Sequence, residues 1–91
     1  MHTTRDQEQL IKRVRRIRGQ IEAVEKAIAS GEECSKVLLT VAACRGALTS
    51  LTSAILVDHV RFHVLDPREK PSSKRARAGE ELIDVIRAYL K

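Results

Sequence analysis

Three side chains of metal-binding type stand out in this 91-residue chain: Cys34, His59 and His63. His59 and His63 are four apart in HVRFH, so on a helix they share one face, as a chelating pair does. Cys34 stands near the other end of what reads as the same helix. At 1.5 Å of rise per residue it is roughly 35–40 Å from the histidines. One chain cannot bring the three to a single ion. An antiparallel pair of chains can, because Cys34 of one copy then faces His59 and His63 of the other. Such a site reports on subunit geometry, as a sensor requires.

His2 adds a fourth nitrogen-bearing side chain near the N-terminus. Thiolate and neutral imidazole together suit Zn, Ni, Co and Cu ions. Cu(I) is best served by two or more sulfurs, and only Cys34 is placed for the task. Cys44 lies mid-helix, about 15 Å from Cys34 by helical rise, on an apolar seam where packing is its expected role. One thiolate with several nitrogens favours Ni(II), Co(II) or Zn(II). The bland alternative makes Cys34 a small buried hydrophobe, His59 and His63 exposed polar residues, and His2 part of a tail. Enzyme readings have little support. HVRFH lacks the glutamate that follows the first histidine of zinc proteases, and there is no Gly-rich phosphate loop. No deaminase H-x-E with P-C-x-x-C is present either. A Cys34–His59 nucleophile pair would lack an oxyanion hole.

Three helices must position these residues. In the first, about residues 4–30, Leu10, Val14, Ile17, Ile21, Val24 and Ile28 recur at alternating steps of four and three, a heptad-like seam. Gly31 is its expected stop. The second runs from about residue 33 to 65, and Val37, Val41, Cys44, Leu48, Leu51 and Ile55 continue the alternation. Its middle, AACRGA, keeps side chains small. The midpoint between Cys34 and the histidine pair falls near Ala47, so an antiparallel crossing there aligns the ligands at both ends. Asp66, Pro67, Pro71, Ser72 and Ser73 form a linker, since Pro67 cannot continue a helix. A third helix, about 76–90, carries Leu82, Ile83, Val85, Ile86, Tyr89 and Leu90. There is no internal repeat, and the reading is one all-α domain over residues 1–91.

Hydrophobic residues make up 43% of the chain but aromatics only 2%, so the core is short of large side chains and helix association is expected to complete it. No stretch reads as apolar over the ~18 residues of a membrane span, and the N-terminus lacks a signal-peptide core. The expected location is the cytoplasm, with two free thiols rather than a disulfide. Net charge is +5. Lys12, Arg13, Arg15, Arg16 and Arg18 crowd one stretch, and Lys70, Lys74, Arg75 and Arg77 another. Basic stripes point to polyanions, although Glu22, Glu25 and Glu32 could simply balance a solvated face. Few aromatics leave phosphate contacts and groove shape to dominate.

The segments RVRRIRGQIEAVEKAI, EECSKVLLTVAACRGALTSL, the DH before VRFH, and IRAYLK together resemble the CsoR/RcnR/FrmR family of small all-α bacterial repressors. The resemblance covers nearly the whole chain. It implies an antiparallel helical dimer that pairs into a disc-like tetramer, a homodimer or homotetramer on double-stranded operator DNA, released by its ligand. Copper sensors of the family carry Cys-His-Cys, and His63 departs from that. The nickel/cobalt branch carries an N-terminal His, then Cys, His and His, which His2, Cys34, His59 and His63 match. The formaldehyde branch begins Met-Pro and commonly has glutamate where this chain has His63, yet RVRRIRGQI and IRAYLK look much like that branch. Arg13, Arg16 and Arg45 match basic positions that the family uses on DNA, and Lys12 adds charge beside them. The expectation is a repressor released by Ni(II) or Co(II), with Zn(II) also accommodated. Its first rival is a formaldehyde-responsive repressor using Cys34 and the N-terminal amine. Its second is a DNA-coating protein with incidental histidines.

Overall fold

A computed structural model describes residues 4–90, and no strand occurs among them. Three helices, α1 (Thr4–Ala29), α2 (Cys34–His59) and α3 (Lys74–Tyr89), follow in order, and a five-residue π-helical turn, Val60–Val64, extends α2. The α1 stop is the expected one. Gly31 takes a left-handed φ of 70°, which a side chain would resist. Its N–H donates to Ile28 O at 3.2 Å and the Glu32 N–H to Ala27 O at 2.9 Å, the paired bonds of a Schellman cap.

Two boundaries differ from the sequence reading. The second helix ends as regular α at His59 and continues only as the π turn. The third begins at Lys74 rather than near Ala76, because Ser73 caps it: the Ala76 N–H donates to Ser73 Oγ at 3.0 Å. Between them the Arg68 N–H donates to Asp66 Oδ1 at 2.9 Å, a local turn that takes over where Pro67 forbids helix.

α1 and α2 form an antiparallel hairpin, joined by the short link after Ser30. Leu10 and Ile17 from α1 and Cys44 from α2 are buried along it. α3 folds back on the far end, where Val57 and Val60 pack with Ile83 and Ile86, flanked by Leu65 and Leu90. Ile83 is fully enclosed, at 0% exposure. Ile83→Ala should therefore lower unfolding stability by about 2–5 kcal/mol, measured by urea titration at fixed protein concentration. A change within about 0.5 kcal/mol would mean that this cluster does not hold α3 down.

The chain measures 57 × 27 × 12 Å. Twelve ångströms is about one helix diameter, so the hairpin is a single layer with two open faces. A stable domain ordinarily needs two packed layers. Half of each heptad seam is accordingly uncovered: Val14, Ile21 and Ile28 on α1, and Val41, Leu48 and Ile55 on α2, are all exposed.

One expectation about apolarity needs correcting. Cys34–Val64 contains an 18-residue stretch of mean hydropathy 1.4, long and apolar enough to cross a membrane by length and composition alone. Lys36, Arg45, Asp58 and Arg61 interrupt it, and one side lies along α1. An apolar helix that packs on several sides meets the same test.

Candidate metal centre and nucleic-acid face

Cys34 is the first residue of α2, and its thiol is free and exposed. Glu33 before it makes no side-chain cap bond. His59 closes α2 and His63 rides the π turn, both exposed. Their imidazole rings stack 5.4 Å apart between centroids, at 29° between planes. The histidine pair thus forms as the spacing predicts. Cys34 stands at the opposite end of the 26-residue α2, roughly 35–40 Å away along the axis. Among the described residues, no three His, Cys, Asp or Glu side chains converge in a way that could hold a metal. His2 lies outside the described residues. Cys44, at 4% exposure, packs in the seam as expected.

The arginines mark one side of the helical layer. Arg13 is half-buried, and its Nη2 donates to Ser50 Oγ at 2.7 Å, tying α1 to α2. Arg13, Arg16, Ile17, Ala47 and Ser50 line a groove of about 120 Å³. With 3.6 residues per turn, Val14, Ile21, Val41, Leu48 and Ile55 come out on the opposite side of the layer, and Cys34 and His59 with them. The hairpin therefore has a basic face, with Lys12 and Arg16 exposed beside Arg13, and an apolar face edged by Cys34 and His59. A larger cleft of about 360 Å³ opens further along the basic side, where Asp6, Asp58, Arg13, Arg61 and Arg87 mix both signs of charge.

Two sequence expectations are modified. Ala47 was expected at an antiparallel crossing between copies, but it packs inward against α1, and Leu48 takes the open side. Of the small residues only Ala47 is partly covered; Ala42, Ala43 and Gly46 are exposed, and nothing lies within 4 Å of a would-be Cβ on Gly46. Arg45, grouped with Arg13 and Arg16 by the resemblance, is exposed but on the outer side of α2, away from that groove. Sequence reasoning missed the Arg13–Ser50 bond, for which an arginine and a serine on facing heptads give no distinctive signal.

The donor set suits a borderline divalent ion, since thiolate and imidazole are its preferred ligands. What one chain presents is half of it at each end.

Comparison with known proteins is consistent along the whole length. The family model described as metal-sensitive transcriptional repressor matches residues 6–88. An uncharacterized protein in the bioA 5' region of Serratia marcescens is 48% identical over 90 residues, covering 99% of this chain and 98% of that one. The transcriptional repressor RcnR of Citrobacter koseri is 32% identical over 90 residues, with coverage of 99% and 98%. Among solved structures, a glutamate-to-histidine variant of the formaldehyde-responsive regulator FrmR from Salmonella enterica serovar Typhimurium superposes with a TM-score of 0.71. It shares 37% identity and covers 98% of this chain and 99% of its own.

Proposed function

The chain belongs to the metal-sensitive transcriptional repressor family, and from that premise we propose that it binds operator DNA as an antiparallel dimer paired into a tetramer and lets go when Ni(II) or Co(II) binds. The family is one of DNA-binding repressors, not of enzymes. The observation that carries the finer reading is the placement of Cys34 and the His59–His63 pair at opposite ends of one exposed helix face. A second copy laid antiparallel across that face supplies what each end lacks. His2, Cys34, His59 and His63 would hold the ion, Zn(II) included, and the ion would supply a charge that links two subunits.

The apolar side of the layer is the natural seat for the second copy, because Val14, Ile21, Val41, Leu48 and Ile55 are uncovered there. Its burial would leave Lys12, Arg13 and Arg16 facing outward to phosphates. Arg45 would then act near the subunit junction and contact DNA only if the assembly brings it round. Coupling between effector and DNA in such proteins is typically about 1–3 kcal/mol.

The DNA half is tested with Arg16→Ala, since Arg13 also braces the hairpin through Ser50 and its removal would mix two effects. On a duplex from the chain's own upstream region, Arg16→Ala should flatten the salt dependence of binding by about one unit of slope for one lost phosphate contact. Co(II) affinity should stay within about twofold. An unchanged slope would make this face a solvated one.

A second reading has one observation in its favour. A formaldehyde-responsive regulator is among the solved structures this chain matches, at 37% identity over 98% of its length. On that reading the Cys34 thiol and an amine condense with formaldehyde to an S–CH2–N bridge, releasing water.

A further inference from the structure

The π turn that carries His63 does not follow from its own sequence. The Leu65 N–H donates to Val60 O, five residues back, at 2.9 Å, so the last turn of the α2 extension holds one residue more than an α-turn. Such turns are rare and short, and they persist where the surroundings hold them. Alongside the stacking of His63 on His59 and the packing of Val57 with Val60, three holds come from α3. Val60 is buried with Ile83 and Ile86. Arg61 Nη2 lies 3.4 Å from Glu80 Oε2. Above all, Leu65 occupies the space where Gly79 lacks a side chain: a Cβ there would overlap both Leu65 methyls and fall 2.8 Å from its Cγ.

Gly79 is buried in the middle of α3. Glycine is disfavoured in a helix interior relative to alanine, and here it makes room for the Leu65 side chain, whose outer end a Cβ would displace. The approach has a consequence for the ligand pair. Four residues are slightly more than one α-turn but less than one π-turn, so the π turn swings His63 back across the line of His59. The 5.4 Å stacking of the two rings exists in that geometry.

We propose that Gly79 and Leu65 are positioning residues for the histidine pair: seating of α3 at Gly79 clamps the π turn and thereby sets the spacing and angle at which His59 and His63 meet a ligand. The converse follows by linkage, since an ion drawn to His63 and the seating of α3 must affect each other by the same factor. The ion part rests on the function proposed above, whereas the clamp itself is a property of the metal-free chain.

The experiment is a double-mutant cycle in the full-length protein with Gly79→Ala, Leu65→Ala and both together. Two readouts are taken: amide hydrogen exchange at Leu65 without metal, and Co(II) affinity by absorbance. Gly79→Ala should speed Leu65 exchange and weaken Co(II) binding, each by about tenfold, although alanine is the better helix former. In the Leu65→Ala background the same substitution should change neither. Equal losses in both backgrounds, or none in either, would overturn the clamp. Faster exchange with Co(II) affinity untouched would overturn the positioning role. If Gly79→Ala does not fold, Leu65→Ala alone decides, because it adds no bulk: it should raise exchange across Val60–Val64 and weaken Co(II), and no change would refute the proposal. A wild-type chain that binds no Co(II) would sink the effector reading, while the exchange comparison still decides the clamp.

Discussion

Neither Cys34→Ala nor His59→Ala protein should bind Co(II) tightly alone, yet a mixture of the two should. Cys34 and His59 stand at opposite ends of the 26-residue α2, so a site that holds both must draw its thiolate from one chain and its imidazoles from another. In a mixed dimer the Cys34→Ala chain supplies an intact histidine pair to the cysteine of its partner. The other site of that dimer has neither. With free exchange, half of the dimers are mixed and one site in each is whole, so roughly a quarter of the wild-type sites should return. The thiolate-to-Co(II) charge-transfer band is the readout, because it appears only when the sulfur is bound. Mass spectrometry of the mixture should confirm exchange. Exchange without recovery of the band would remove the shared site, and a folded monomer would remove it more simply. The single-layer shape and the uncovered Val14, Ile21, Val41, Leu48 and Ile55 argue against that monomer.

His63→Glu should produce the second large effect. The imidazole stacks on that of His59 at 5.4 Å, and the two present nitrogen donors together. A carboxylate at the same place is a harder ligand, better suited to Mg, Ca or Mn than to Ni(II) or Co(II). Ni(II) affinity should fall by roughly tenfold or more, about 1.4 kcal/mol or above. Adduct formation at Cys34 should be nearly unchanged, since His63 supplies no atom to it. The solved FrmR variant carries the reverse exchange, glutamate to histidine, which makes it a natural partner for the comparison. Equal loss of Ni(II) and formaldehyde responses would indicate general damage to the π turn. Unchanged Ni(II) affinity would take His63 out of the ligand set.

Much of this was legible in the residues, and what was not has a physical reason. The alternating steps from Leu10 to Ile28 and from Val37 to Ile55 predict two helices that each need a helix partner, though not that they pair within one chain. Gly31 predicted the first stop through its left-handed conformation. Which seam positions face the second helix of the same chain, and which face a further copy, the pattern could not divide. Leu10 and Ile17 are buried while Val14 and Ile21 are open, yet all four read alike. The π turn was invisible because VRFHV contains no breaker; it depends on Gly79, distant in sequence. The Ser73 cap was readable in principle, since a serine just ahead of a helix is a standard start signal, and the linker's two prolines drew the boundary too late. His2 lies outside the described residues, so its share in the ligand set rests on sequence.

On the reading proposed above, a borderline metal ion rather than an aldehyde releases this repressor from DNA. Fluorescence anisotropy of the labelled operator duplex, with protein bound and effector titrated in, tests it most directly. Ni(II) or Co(II) should release the DNA at concentrations well below any effect of formaldehyde, and Cys34→Ala, His59→Ala and His63→Ala should each blunt the release. Release by formaldehyde that survives His59→Ala and His63→Ala but not Cys34→Ala, with no release by any metal, would contradict the account and move the chain to the aldehyde-sensing branch.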